Sequence, residues 1–353
     1  MMTKIHFENL RCFKDFTIDN LTRLTLISGR NNVGKTTLLE GVFLLLAYRN
    51  ADVFFKINGF RGAESVLDPK YLWESLFTDM DIERKLCICM TDDAGVTRAL
   101  NLKKEGQLAL SAPAGRDAMR PAFQPDSGGY MLRFEYMQGN QHEIGRFFFS
   151  QNALTLNSTN PDGILPKPPL GFYIGPNIQI TQQSVAEWLG KIELGNKKEE
   201  LAKKLRLLFE EIDDIFTVPA SGMINVFSRL RTGQALPIRA MGDGINKLLH
   251  YLSAMIANPG GVFLLDEIDA GFHYSFYTKL WELVATVAQK TGSQVIATTH
   301  SYECIGAAAE GTAKVDASLL TYIRLGREDE TIVPYHFSQD DLAFALKREM
   351  EVR

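Results

Sequence analysis

The stretch GRNNVGKTT, Gly29–Thr37, decides the fold. It lies between a short apolar run, RLTLIS at Arg23–Ser28, and a strongly apolar segment from about Thr36 to Ala47. The first run carries β-branched residues and predicts a strand. The second predicts a buried helix. Gly29, Gly34, Lys35 and Thr36 satisfy G-x-x-x-x-G-K-[ST] in the strand–loop–helix order that gives the motif its meaning. The glycines let the backbone wrap a phosphate chain without a Cβ in the way. Backbone N–H groups through Asn31, Asn32 and Thr37, at and before the helix start, then face the anion. Lys35 is expected to reach the β- and γ-phosphates of ATP, and the Thr36 hydroxyl to ligate Mg²⁺.

Two later stretches extend this reading. VFLLDEID, Val262–Asp269, is an apolar strand with acidic residues at its end. Asp266 is placed to hold the Mg²⁺ shell, and Glu267 to orient or deprotonate the attacking water. SQVIATTHS is another buried strand, and it ends in His300. The carboxyl edge of a strand is where open α/β sheets bind ligands, so His300 reads as a γ-phosphate sensor. The expected catalytic set is therefore Glu267, His300 and Lys35.

The rest of the chain bounds the function. Its 353 residues are 45% hydrophobic, enough for one large domain or two modest ones. Lys plus Arg number 38 against 42 Asp plus Glu, so any contact with DNA must come from a local patch. The apolar runs GVFLLLA and GVFLLD fall well below a membrane span of roughly 20 residues. Four cysteines make no disulfide framework. Cys87 and Cys89 share one face of a strand, without the further ligands that zinc needs.

Four segments emerge. Residues 1–80 hold the Walker A loop. Residues 81–183 form a β-rich lobe, with KLCICMT, YMLRFEY and RFFFSQ as strands between the turn signals PAG, PDSGG, NPDG and PKPP. Residues 184–216 form a helical insertion. There Ser184 and Glu187 fit a capping box, and Leu201, Leu205, Leu208 and Ile212 make one stripe of a helix over about 197–216. Its polar face carries Lys197, Lys198, Lys203, Lys204 and Arg206, a solvated face or a DNA contact. Residues 217–353 return to alternating helices and strands, which implies a parallel sheet.

The P-loop, a long insert, MGDGINKLL, LLDEIDAGFHYS and TTHS, in this order, resemble the ABC-type ATPase head. That head is shared by structural-maintenance-of-chromosomes (SMC) proteins, RecF-like repair proteins and overcoming-lysogenization-defect (OLD) ATPases. ENLRCFKDF, GRNNVGKTTLLE and GDGINKLLHYLSAMIANPGGVFLLDEIDAGFHYS resemble most the small AAA-annotated OLD-like group of bacterial anti-phage defence. The resemblance implies an α/β P-loop NTPase of ABC-head type with an inserted β-rich and helical lobe. It also implies a composite site, with two heads sandwiching ATP. Met241–Lys247 of one copy would face the other's γ-phosphate, with Gly242, Asp243 and Gly244 in contact. This loop departs from the family pattern: Gly242 stands where Ser is common, and Asp243 where Gly is common. Backbone N–H groups around Gly244 are left to bind the phosphate. His273 stands where the family often has Asp, either at the subunit interface or as a plain helix start. The family's Mg²⁺-sensing Gln has three candidates, Gln179, Gln182 and Gln183. Arg229, Arg231 and Arg239 are surface residues of a hairpin or contacts to phosphate or DNA.

OLD-like proteins often continue into a Toprim nuclease domain, which needs a Glu and an Asp-x-Asp. The 53 residues after His300 (353 − 300) hold no Asp-x-Asp, so the chain is not expected to be a nuclease itself. The expectation is a slow cytoplasmic ATPase, using ATP and Mg²⁺, that forms a homodimer or larger homo-oligomer. It would control a separate effector, a nuclease or toxin, in anti-phage defence, with no membrane association. The alternatives are a RecF-like DNA-binding repair clamp and an ATP-stabilised scaffold with little turnover.

Overall fold

A computed structural model of the chain describes residues 1–50, 53, 57, 73–105, 131–150, 153–159, 165–176, 180–220, 223–348, 350 and 352. Gln179 and the turn signals PAG, PDSGG and NPDG lie outside these residues. The chain divides into two compact units, one of residues 1, 20–39 and 169–353, the other of 2–19 and 40–168.

The second unit is built on a seven-stranded antiparallel sheet. Its strands are β1 (Met2–Leu10), β2 (Phe13–Ile18), β4 (Leu86–Asp92), β5 (Thr97–Glu105), β6 (Met131–Gln138), β7 (Gln141–Ser150) and β8 (Ala153–Thr159), in the order β2-β1-β4-β5-β6-β7-β8. Apolar side chains alternate along the first two strands: Ile5, Phe7, Phe13, Phe16 and Ile18 are buried, and Phe13 and Phe16 stack at 4.3 Å. β1 pairs with β4, Ile5 opposite Met90. These N-terminal strands therefore belong to the β-rich sheet and not to the sheet that carries the P-loop. A Cβ on Gly41 would lie 2.5 Å from the Phe7 ring, so helix α1 (Lys35–Leu46) lies directly against β1 there. The buried Glu40 carboxylate accepts from Arg11 Nη1 at 2.7 Å. On β4, burial pushes the Cys87 thiol up to about 11, the signature of an inert side chain.

The first unit holds a six-stranded sheet in the order β16-β15-β3-β14-β13-β9. Its members are β3 (Leu24–Gly29), β9 (Gly171–Ile174), β13 (Val262–Leu265), β14 (Gln294–Thr298), β15 (Leu320–Glu328) and β16 (Thr331–Phe337). The first five run parallel, and β16 pairs antiparallel at the edge. β3, β13 and β14 are buried along their whole length, as their continuous apolar runs require. Helices α2 (Gln182–Leu194), α3 (Lys198–Arg206), α4 (Asp243–Ala257), α5 (Tyr277–Thr291), α6 (Tyr302–Ala313) and α7 (Gln339–Lys347) complete the unit, with a small sheet of β10 (Ile212–Ala220), β11 (Met223–Leu230) and β12 (Ala235–Pro237). Among the described residues no helix is long and apolar enough to cross a membrane.

Two local expectations are corrected here. The cap of α2 is Thr181, whose hydroxyl accepts from Ser184 N–H at 3.1 Å, so the helix begins before Ser184. The helix expected over 197–216 ends at Arg206, and Ile212–Ala220 is a strand. The pairing of β10 with β11 shifts register between Ile212 and Asp214. That bulge turns the strand by one residue, so Ile212 and Ile215 are both buried at a spacing that imitates a helix. Part of the basic face of α3 is ion-paired: Lys198 with Glu193 and Asp214, Lys204 with Glu200, Arg206 with Glu199.

Candidate nucleotide site

β14 lies between β3 and β13, with Ile27 opposite Thr298 and Leu265 opposite Ala297. The C-terminal ends of three neighbouring strands therefore deliver the P-loop, Asp266 with Glu267, and His300 to one edge. Gly29 has φ +143°, and a Cβ there would sit 2.5 Å from the Leu325 carbonyl oxygen. Gly34 has φ +88° and Asn32 φ +63°. The Lys35 ammonium donates to the carbonyls of Gly29 and Arg30, at 2.8 and 2.9 Å. The loop thus closes on its own lysine. Burial lowers the Lys35 pKa to about 8, against the pull of Asp266 and Glu267.

Asp266 is buried and takes hydrogen bonds from three hydroxyls. Thr36 and Tyr173 donate to Oδ2 at 3.0 and 2.9 Å, and Thr298 donates to Oδ1 at 2.6 Å. The Thr298 oxygen also accepts the Glu267 N–H at 2.9 Å. One fully buried hydroxyl thereby orients both acidic residues. Glu267 has φ +49°, a left-handed conformation that a non-glycine residue keeps only where its surroundings hold it. His300 is exposed. Partial desolvation first, and the Lys35 charge second, lower its pKa, so the imidazole is neutral near pH 7 and can donate through one N–H.

These residues fit a nucleotide with Mg²⁺. The glycine cradle has no room for a Cβ at Gly29, a cation stands inside it, and a carboxylate and a hydroxyl meet beside it as hard oxygen donors. Bound there, the metal would neutralise charge on the phosphates. Lys35 would hold the phosphate chain, Asp266 and Thr36 the metal, and Glu267 the water.

The other expected residues are placed as follows. Gly242 has φ +102° and precedes α4, in which Asp243 and Gly244 are the first two residues. A Cβ on Gly244 would lie 2.9 Å from the Gly271 carbonyl oxygen. The signature turn thus packs on the loop after Glu267. Gln182 is taken up by structure, its Oε1 accepting from Val226 N–H at 2.8 Å, and Gln183 bonds Glu187 on the same helix. Exposed His273 starts the 3-10 turn Tyr274–Phe276, its Nδ1 2.9 Å from Ser275 Oγ. The Arg229 guanidinium lies 5.1 Å from the Phe216 ring centroid, a contact within the β10–β11 hairpin. The sequence gives no role to Thr298 or Tyr173, and places Lys247 only at the end of the signature stretch Met241–Lys247. Thr298 stands in the quoted TTHS and Lys247 in MGDGINKLL, whereas Tyr173 carries no motif at all.

Comparison with known proteins gives the following likenesses. Residues 145–305 match the family model described as "AAA domain, putative AbiEii toxin, Type IV TA system", and residues 1–118 match the one described as "AAA ATPase domain". The chain is 23% identical to a Helicobacter pylori protein named ATP/GTP phosphatase, over 99% of each chain. In fold it is similar to the SMC head domain of Thermotoga maritima, with a TM-score of 0.50 at 12% identity over 96% of this chain and 99% of that one. It is similar again to an SMC head from Pyrococcus furiosus solved with an extended coiled coil, with a TM-score of 0.50 at 11% identity over 99% of both chains. With the Walker residues gathered at one sheet edge, these likenesses support an AAA-type P-loop ATPase whose fold is similar to that of the SMC heads.

Proposed function

We propose that this chain hydrolyses ATP with Mg²⁺, assembles with a second copy across the nucleotide, and through that assembly controls a separate effector, a nuclease or toxin, in bacterial anti-phage defence. The observation that carries the hydrolytic part is the shared Thr298 hydroxyl, which sets Asp266 and Glu267 together beside Lys35. Such pre-orientation serves a reacting water and goes beyond what nucleotide binding alone needs. Glu267 acts as the base, and neutral His300 donates to charge that grows on the γ-phosphate. Slow turnover suits a signature turn without the usual Ser hydroxyl. Each copy carries both a P-loop and a signature turn, so two copies complete two sites. The AbiEii-toxin wording of the matched description favours effector control over a repair clamp. So does the ion pairing on the basic face of α3.

The test is affinity capture of the Glu267→Gln protein from its native host with ATP and Mg²⁺, with and without nuclease treatment. A stoichiometric protein partner that survives nuclease supports effector control. DNA recovered with repair proteins, and lost on nuclease treatment, would sink it in favour of a DNA clamp.

A further inference from the structure

We propose that Lys247 is a positioning residue that ties the signature helix to the turn carrying Glu267, so that engagement of the signature turn is felt at the water-activating carboxylate. The proposal rests on the assembly reading above. Lys247 lies one helical turn beyond Asp243 in α4. Its Nζ donates to the Ala270 carbonyl at 2.7 Å. Ala270 N–H in turn donates to the Glu267 carbonyl at 3.0 Å, so the lysine grips the residue that closes the Glu267 turn.

The backbone around this contact leaves no room for a Cβ on Gly244. A Cβ on Gly244 would meet the Gly271 carbonyl oxygen at 2.9 Å, and one on Gly271 (φ +87°) would meet Asp243 Cβ at 3.2 Å. Phe272 extends the junction, its ring centroid 6.5 Å from that of buried Tyr251 in α4. Two segments packed without slack shift together. Glu267 itself stays left-handed only because both of its flanks are held. Thr298 holds the N-terminal flank from within the nucleotide site. Lys247 holds the C-terminal flank from the element that faces a second copy. Burial lowers the Lys247 pKa, against the pull of Glu267, Asp243, Asp269 and Asp266 around it. Removing it leaves a carbonyl without its donor and an acidic turn without its counter-charge.

The experiment compares Lys247→Met and Lys247→Arg with wild type, using a fluorescent ATP analogue with Mg²⁺ for binding and phosphate release for turnover. Lys247→Met is expected to bind within about twofold of wild type while kcat falls about tenfold, KM staying close to unchanged. Its rate per molecule no longer rises with protein concentration. Lys247→Arg, which keeps the charge and a donor, recovers most of kcat. A residue that only supports the fold would lower melting temperature and binding together. Sedimentation of Glu267→Gln with ATP and Mg²⁺ separates the two ideas. No ATP-dependent assembly would sink the assembly reading, whereas assembly with a wild-type rate for Lys247→Met sinks the Lys247 role alone. Should the Met variant fail to fold, hydrogen exchange on wild type decides. Amides of 243–248 and 267–272 must gain protection at one common protein concentration, and separate midpoints overturn the proposal.

Discussion

The P-loop and the signature turn are both glycine-bearing entries to a helix, and both are followed by a lysine. They differ in where that lysine goes. Lys35 Nζ bonds carbonyls of its own loop, Gly29 and Arg30. Lys247 Nζ leaves its turn and bonds Ala270. Gly29 has no room for a Cβ, while Gly242 faces open space and is constrained only by its φ of +102°. A loop that closes on itself is specified by its own residues and works wherever a strand and a helix frame it. A turn that reaches across to another loop has meaning only after the chain has folded.

Four changes would break or sharpen that contrast. The largest effect is expected from Lys35→Ala, which should weaken ATP binding on the order of 100-fold or more by removing the cation inside the cradle. Titration calorimetry checks this, and near-normal affinity would mean the loop does not hold the phosphates. Next, Thr298→Val keeps shape but strips the hydroxyl shared by Asp266 and Glu267. Hydrolysis should fall roughly tenfold or more, from a buried N–H left without its acceptor. Thr298→Ser should restore most of the rate, and equal loss in both variants would refute the hydroxyl's role.

The pH dependence follows from Lys35. Burial depresses its pKa to about 8, so the free protein loses this charge as pH rises through that value. The phosphate chain needs the charged form, so affinity should be nearly full at pH 7, about halved at pH 8 and about tenfold weaker at pH 9 than at pH 7. Lys35→Arg should abolish that slope whatever its absolute affinity. The same depression costs folding stability at neutral pH, a cost relieved between about pH 8 and the unfolded lysine's range. The smallest effect is expected from Gly242→Ala. With open space around it, the variant should lose about 1–3 kcal/mol of stability, for the forced φ of +102°. Thermal melting measures it, and a much larger drop would mean that the turn is packed more tightly than its surroundings indicate.

How far the sequence could be read depended on the distance between partners. Thr36 and Asp266 meet at 3.0 Å, and both were legible because each sits in a motif whose chemistry demands the other. Thr298 was in plain sight beside His300, yet its two hydrogen bonds reach another strand, and no local pattern announces them. Tyr173 lies in a four-residue strand with no motif, so only the register of β9 against β13 brings it to Asp266. The strand β10 misled the periodicity because a bulge gave it helix-like spacing. The choice of sheet for the N-terminal strands was not legible, since β pairing is set by partners far along the chain.

By itself, the sequence determined the glycine loop, the acidic pair at a strand end and the alternation of strands and helices that makes a parallel sheet. Each depends on contacts within one turn, or on a run of buried residues, which local chemistry settles. Only the tertiary structure decided which strand ends stand side by side, which hydroxyl joins the Asp266 carboxylate to the Glu267 backbone, and which loop receives Lys247. Those outcomes depend on sheet order and close backbone approach, and both arise from the packing of segments that the sequence keeps far apart.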